Sequence, residues 1–343
     1  MEICAVKYKE MKKVAVLFNP SSGKGRSMKE KKKIETLLKQ NAIDYDLLVT
    51  RSENHLRQLA AESARQYEII VGVGGDTTFN IIAIEILKYQ KDKITAQPTP
   101  AMGMIGTGSA NDIARGLGIE KIEDACKAIK NRRTRKMDVG CLKINGKSDS
   151  LYFLGTVSLG LGATVNRYVE GFHQRHKILS KLKPFDQLLS GLYAIYDSFS
   201  KKKVPLQAEF EYQTNNLNLK STQKITKKIE FSLLVLLNTP YYANGLKLVK
   251  NEETACPTPA LTLFDGLLDC CIIHTKSFLN TLKVGIHVQK GTHMNQDEVI
   301  LIQSSIFKIA SKEEIDIQVD GEIFEGVRQL EVSLLSQGLK VLI

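Results

Sequence analysis

Three times in the first 120 residues, a short apolar run breaks into a bend of glycine, serine and threonine and is followed by a helical pattern. KVAVLF (13–18) enters NPSSGKG (Asn19–Gly25), the strand Glu68–Val73 enters GGDTT (Gly74–Thr78), and Ala101–Ile105 enters GTGSA (Gly106–Ala110). The first bend leads into a helical stretch, Met28–Leu38. The second leads into a helix on which Phe79, Ile82, Ile86 and Tyr89 share one face, and the third into a helix starting near Asn111. A strand at Tyr45–Val49 and a helix from Glu53 to Gln66 lie between the first two units. Short loops joining strand to helix to strand leave little choice, because parallel strands need a crossover and a helix supplies it. The expectation is a doubly wound α/β domain. In that architecture ligands sit at the carboxyl ends of the strands, where all three bends fall.

The texture changes after Asp138. Leu151–Val157, Gln207–Tyr212, Ile229–Leu237, Leu267–Ile273, Ile315–Val319, Leu330–Leu334 and Leu339–Ile343 read as strands, punctuated by the turns Asn145-Gly146, Asp265-Gly266 and Asp320-Gly321. A chain of 343 residues exceeds what one core usually holds. The reading is therefore two domains: 1–138 of α/β type, and 139–343, a mostly antiparallel β-sandwich whose last strands are placed to pack back on the first domain. One helical insert, Pro184–Ser200, carries Phe185, Leu188, Leu189, Leu192, Ile195, Tyr196 and Phe199 at three-to-four spacing. Arg175, His176, Lys177, Lys181, Lys183 and Lys201 to Lys203 flank it. It packs on its own domain or touches a membrane surface.

Composition removes several functional classes. Six cysteines are scattered without a paired C-x-x-C, which argues against a zinc or disulfide framework and for a reducing cytoplasm. The first residues lack the apolar core of a signal peptide, and no run is long enough to span a bilayer. The net charge of +11 gathers at Lys31–Lys33, Lys130–Lys136 and Lys201–Lys203. Each patch alone reads as solvated surface; together they suit an anionic partner such as an acidic membrane face. No nucleic-acid-binding signature accompanies them.

The bends suit phosphate. At Asn19–Gly25 the start of a helix offers unpaired N–H groups and a positive dipole end, and Lys24 adds a point charge, although a plain turn would look the same. In GGDTT the paired glycines let a ligand approach the backbone. Asp76 repels phosphate, so it holds loop N–H groups, a magnesium ion or a ribose hydroxyl. Thr78 caps the helix or meets a phosphate oxygen. In the third bend Ser109 can donate to phosphate, while Asn111 and Asp112 fix the loop.

The series NPSSG, GGD-x-T-x-N and G-[ST]-x-N-D, continued through MDVG (Met137–Gly140), Phe153–Val165, PALTLFDGLLD (Pro259–Asp269) and VDGE (Val319–Glu322), resembles the diacylglycerol kinase catalytic-domain family. That family includes bacterial lipid kinases and, more distantly, sphingosine and ceramide kinases. The resemblance covers nearly the whole chain. It implies an ATP-dependent kinase acting on diacylglycerol or a related lipid alcohol. A nucleotide would lie against Asn19, Pro20, Ser21, Ser22, Gly23 and Lys24, with Thr50 nearby. The central loop would supply Val73, Gly74, Gly75, Asp76, Thr77, Thr78, Phe79 and Asn80, and the third loop Ser109. It further implies a structural Mg2+ held by Asp265 and the carbonyls of Thr262 and Leu267, and a general base, Asp320 or Glu322, in a cleft between domains. The substrate would come from an anionic membrane surface, which makes the protein cytoplasmic and peripherally membrane-associated, and exposed sheet edges leave room for a homodimer.

Three positions depart from the family pattern. Thr77 replaces a glycine, and if that position needs a left-handed φ, the substitution stores about 1–3 kcal/mol of strain. Ile81 stands where a glutamate is common, and Gly106, in place of a proline, loosens the third loop. These departures motivate a rival reading, a nucleotide- or lipid-binding regulator with weakened turnover. A sphingoid base as acceptor is a further alternative. An NAD kinase relationship would share the G-G-D loop but not the later motifs.

Overall fold

A computed structural model describes residues 12–92, 98–175, 185–216, 221–249 and 263–343. The chain divides into two compact units, Met1–Met137 with Gln337–Ile343, and Asp138–Ser336.

The first unit alternates as its sequence pattern requires: β1 (Lys12–Phe18), α1 (Ser22–Gln40), β2 (Asp46–Val49), α2 (Glu53–Ala64), β3 (Tyr67–Gly74), α3 (Asp76–Lys91), β4 (Ala101–Gly106), α4 (Asp112–Gly116) and α5 (Ile122–Asn131). The strands run parallel in the order β2-β1-β3-β4. They are apolar along their length because helices cover both faces: Val14–Phe18, Ile69–Val71, Val73, Met102, Met104 and Ile105 are all buried. Phe79, Ile82 and Ile86 of α3 are fully buried. A Cβ on Gly72 would lie 2.8 Å from the Ile82 side chain and 3.2 Å from that of Phe79, so this glycine sets how closely α3 packs on β3. Ser52 caps α2, its hydroxyl accepting the His55 N–H at 3.2 Å.

The second unit begins within β5 (Thr134–Ile144). It continues through β6 (Leu151–Phe153), β7 (Thr156–Gly160), α6 (Leu161–Arg175), α7 (Phe185–Ser200), β8 (Leu206–Asn216), β9 (Ser221–Phe231) and β10 (Leu233–Leu237). A short ribbon of β11 (Tyr241–Tyr242) and β12 (Leu246–Lys247) follows. Then come β13 (Leu268–Ile273), α8 (Phe278–Lys290), β14 (Val299–Ser304), β15 (Ile306–Val319) and β16 (Glu322–Leu342). Its pairing is antiparallel, in the order β14-β13-β10-β7-β15-β16, with β8 and β9 branching from β15. Phe153, Phe210, Phe231 and Phe307 centre the core, and the rings of Phe210 and Phe307 stack at 5.5 Å. On another part of the sheet α8 sets Val284 and Val288 against Val235, Leu237, Cys271 and Ile273.

Three apolar runs are divided differently from the sequence expectation. Ile229–Leu237 is two strands broken at Ser232, whose hydroxyl donates to the Ile273 carbonyl and whose own carbonyl accepts the Leu161 N–H. Leu151–Val157 breaks at Leu154 and Gly155. Conversely, the runs Leu330–Leu334 and Leu339–Ile343 belong to one strand, β16, with a left-handed Gln337 at the unit boundary. The end of β16 lies in the first unit, where Val341 pairs in parallel with Met102. Among the described residues no helix is long and apolar enough to cross a membrane, and Cys126, Cys141, Cys270 and Cys271 are free thiols; Cys4 and Cys256 lie outside the described residues.

Candidate active site

In the first unit the three bends that follow β1, β3 and β4 are bound to one another. Asn19 donates its backbone N–H to the Val73 carbonyl at 3.0 Å and its side-chain Nδ2 to Thr78 Oγ1 at 3.0 Å. Its Oδ1 accepts from the Ser21 N–H and hydroxyl, folding the loop back on itself. Thr107 and Gly108 both donate backbone N–H groups to the Gly74 carbonyl, at 2.7 and 3.1 Å. The hydroxyls of Ser27 and Thr107 are 2.6 Å apart and buried, closing the first bend onto the third.

Glycines permit this convergence. Gly23 has φ +59°, and a Cβ there would sit 2.2 Å from the Thr107 carbonyl oxygen. A Cβ on Gly108 would lie 2.4 Å from the Gly75 Cα, so the second and third bends meet backbone to backbone. Gly23, Lys24 and Gly25 are all left-handed, so the regular part of α1 begins only after them. At Gly106, the Asn111 side chain packs where a Cβ would project, 3.0 Å from its Cγ. Asn111 is itself left-handed, accepts the Gly108 N–H on Oδ1 and donates Nδ2 to the Gly108 carbonyl.

Asp76 opens α3 and points its carboxylate at the start of α4. Oδ2 accepts the Asp112 N–H at 3.1 Å and Oδ1 the Ile113 N–H at 3.0 Å. Burial raises its pKa above the ordinary carboxylate range, while these N–H groups, that of Asn111 and the nearby Arg115 guanidinium oppose the rise. Holding loop N–H groups, one of the three roles left open by sequence, is what these bonds show.

Thr77 lies in the first turn of α3 with no left-handed φ. The conditional strain at this position is thereby removed: it is an exposed residue in ordinary helical backbone. Ile81, three residues after Thr78 on α3, is buried. Thr78 and Thr50 are buried, Phe79 is core, and Ser21, Lys24 and Ser109 are exposed. The first N–H groups of α3 have no intrahelical partner and mark the place where an anion is best received.

In the second unit, Asp320 and Gly321 form the hairpin between β15 and β16, with φ of 45° and 98°. The Asp320 carboxylate accepts the N–H groups of Leu154, Gly155 and Thr156 at 2.7–3.0 Å. The first two are the residues at which the apolar run 151–157 breaks, and Thr156 begins β7. Glu322, two positions on, is exposed and pairs in register with Val319. The two carboxylates therefore differ in kind: one is engaged by backbone, the other faces solvent.

Also in the second unit, Asp265 Oδ1 accepts the Leu267 N–H at 2.9 Å and Asp138 Oδ2 accepts the Gly266 N–H at 2.8 Å. Burial, helped by the charge of Asp138, pushes Asp265 up to about 6. Burial pushes Asp269 up to about 7, with the charge of Asp265 contributing. Asp138 was not foreseen as a member of this group, being 128 residues from Gly266. Among the described residues no group of three or more His, Cys, Asp or Glu side chains is arranged to hold a metal. Thr262, expected to lend a carbonyl, lies outside the described residues. The Asp265 carboxylate is itself an oxygen donor of the kind a hard dication takes.

Residues 13–142 match the family model for the diacylglycerol kinase catalytic domain, and residues 152–323 match that for the diacylglycerol kinase accessory domain. A diacylglycerol kinase of Bacillus subtilis is 24% identical over 315 residues, covering 91% of this chain and 90% of that one. One from Staphylococcus haemolyticus is 25% identical over 317 residues, covering 91% and 83%. A crystal structure of a diacylglycerol kinase from Bacillus anthracis superposes with a TM-score of 0.63 at 16% identity, covering 98% of each chain. At that identity the likeness is one of fold.

Proposed function

The chain belongs to the diacylglycerol kinase family of lipid kinases, and we propose that it transfers the γ-phosphoryl group of ATP to the hydroxyl of diacylglycerol or a closely related lipid alcohol, giving a phosphatidate-type product. The observation that carries this reading is the closure of three strand-end bends on one another through Asn19, Thr78, Thr107 and Gly74. Such closure supports the reading by bringing the N–H groups and hydroxyls of three loops within reach of one triphosphate.

In this reading, Thr78 and Ser109 give hydroxyl hydrogen bonds to phosphate oxygens, and the start of α3 gives N–H groups. Asp76 positions α4 and touches no phosphate. Glu322 accepts the proton of the lipid hydroxyl as it attacks the γ-phosphorus, since phosphoryl transfer needs little more than positioning, charge neutralisation and a base. Asp320 keeps the 154–156 turn in place. Mg2+ bound with ATP would neutralise phosphate charge. A second Mg2+ at Asp265, with the Leu267 carbonyl, would brace the second unit away from the reaction. The lipid is met at the surface of an anionic membrane, and the protein associates with that surface peripherally.

The rival reading, a regulator with impaired turnover, loses the strain argument, since Thr77 lies in helical backbone with no left-handed φ, and keeps the Thr77 side chain and Ile81 in its favour. The test is direct. Purified protein is incubated with γ-labelled ATP and detergent-dispersed diacylglycerol, monoacylglycerol and sphingosine. Labelled phosphatidate from diacylglycerol is the expected product. Binding of nucleotide with no labelled lipid in any arm would return the regulator to first place.

A further inference from the structure

The second unit carries an apolar face that its own core does not use. On α8, Val284 and Val288 turn inward. At about 100° per residue, Leu279, Leu282, Lys283, Ile286 and Lys290 fall together on the opposite side. A helix face turned to water is ordinarily polar. Here Leu279 is 75% exposed and Ile286 52% exposed, interleaved with lysines. The face continues onto α7, where the Tyr196 ring meets that of Phe278 edge-on at 5.9 Å. Tyr193 and Tyr196 are 57% and 56% exposed. Exposed lysines frame the patch: Lys276 just before α8, and Lys201, Lys202 and Lys203 after α7. The acids beside it are already engaged, Asp197 by Lys201 and the Tyr168 hydroxyl, and Glu298 by Asn280 with Lys283 and His287 near.

We propose that this face of α7 and α8 docks the protein on an anionic phospholipid bilayer. Leu279, Ile286, Tyr193 and Tyr196 enter the boundary between headgroups and acyl chains, and Lys276, Lys283 and Lys290 lie against lipid phosphates. The choice of occupant follows from charge and side-chain form. Long lysines can lay their stems along apolar surface while their ammonium groups reach outward, and tyrosines suit a boundary that is apolar on one side and wet on the other. A second copy of this face would set lysine against lysine. A whole-chain charge of +11 adds to the attraction for acidic lipid. The proposal rests on the reading that the substrate is a membrane lipid, and it names the surface that meets it; sequence alone pointed only to the α7 region and not to α8.

The test is sedimentation with vesicles of phosphatidylcholine alone and of phosphatidylcholine mixed with phosphatidylglycerol. The wild type is compared with the pairs Leu279→Glu/Ile286→Glu and Lys283→Glu/Lys290→Glu, circular dichroism confirming that each is folded. The wild type is expected to bind the acidic vesicles and to be released by salt. Each pair should lower that binding by about tenfold or more, while phosphoryl transfer to detergent-dispersed diacylglycerol is retained. Unchanged vesicle binding by both pairs, equal wild-type binding to neutral vesicles, or a change of oligomeric state in the variants would each overturn the proposal. A wild type inactive in detergent would count against the kinase reading instead, and the vesicle result would still decide the docking face.

Discussion

The side-chain amide of Asn19 donates to the hydroxyl of Thr78 at 3.0 Å across 59 residues of sequence. Asn19 Oδ1 is already given to Ser21, so one end of this amide folds the first bend on itself and the other ties it to the second. Accepting the amide leaves the Thr78 hydroxyl one proton to donate, and that proton is the one a phosphate oxygen would receive.

Thr78→Val keeps the shape of this buried side chain and removes both the acceptor and the donor. Leaving the Asn19 amide without its partner should destabilise the protein by about 1–2 kcal/mol and weaken ATP binding by about tenfold or more, whereas Thr78→Ser should restore most of both. Thermal unfolding and nucleotide titration measure the two effects separately. If Thr78→Val lowered the melting temperature and left ATP affinity untouched, the hydroxyl would be structural only.

Gly23 and Gly118 give a matched pair. Both are left-handed, with φ of +59° and +77°, but a Cβ on Gly23 would strike the Thr107 carbonyl at 2.2 Å, whereas Gly118 has nothing within 4 Å. Gly118→Ala should show the dihedral penalty alone, about 1–2 kcal/mol, with nucleotide binding unchanged. Gly23→Ala should exceed it and should lose ATP affinity as well, because the first bend is forced away from the third. Equal effects in the two variants would mean that the bends have room to part.

Thr77→Gly is expected to gain nothing. The residue sits in helical backbone without a left-handed φ, so glycine relieves no strain and lowers stability by about 0.5 kcal/mol or less. The change in kcat/KM for ATP should stay within about threefold, less than 1 kcal/mol of transition-state stabilisation. A rise of tenfold or more would show that the Thr77 side chain obstructs phosphate directly.

What the sequence displayed was whatever depends on neighbours in the chain. The apolar strands and the bends after β1, β3 and β4 are local, and so they were legible. The strain at Thr77 stayed conditional because the loop could have ended one residue later; only the start of α3 at Asp76 decides the φ it needs. Ser232 was invisible as a break, since apolar residues flank it and its role depends on Leu161 and Ile273, which tertiary structure brings beside it. The alliance of Asp138 with the Asp265 turn is likewise a long-range product. The carboxylates of VDGE were recognised as a pair, but their division of labour required the position of residues 154–156.

That division yields the sharpest test of the mechanism. Asp320 accepts three backbone N–H groups and has φ 45°, a conformation that asparagine tolerates. Asp320→Asn therefore preserves the turn geometry but withdraws the charge and one acceptor oxygen. It should cost about 2–4 kcal/mol of stability, with a proportionate loss of folded protein. Glu322 is exposed and makes no comparable set of bonds. Glu322→Gln should leave the melting temperature and ATP affinity unchanged while reducing kcat by about 10²–10⁴-fold, the usual contribution of a positioned base. If Glu322→Gln kept full turnover while Asp320→Asn stayed folded and lost it, the base would be Asp320, and its three N–H partners would be fixing the carboxylate instead of the reverse.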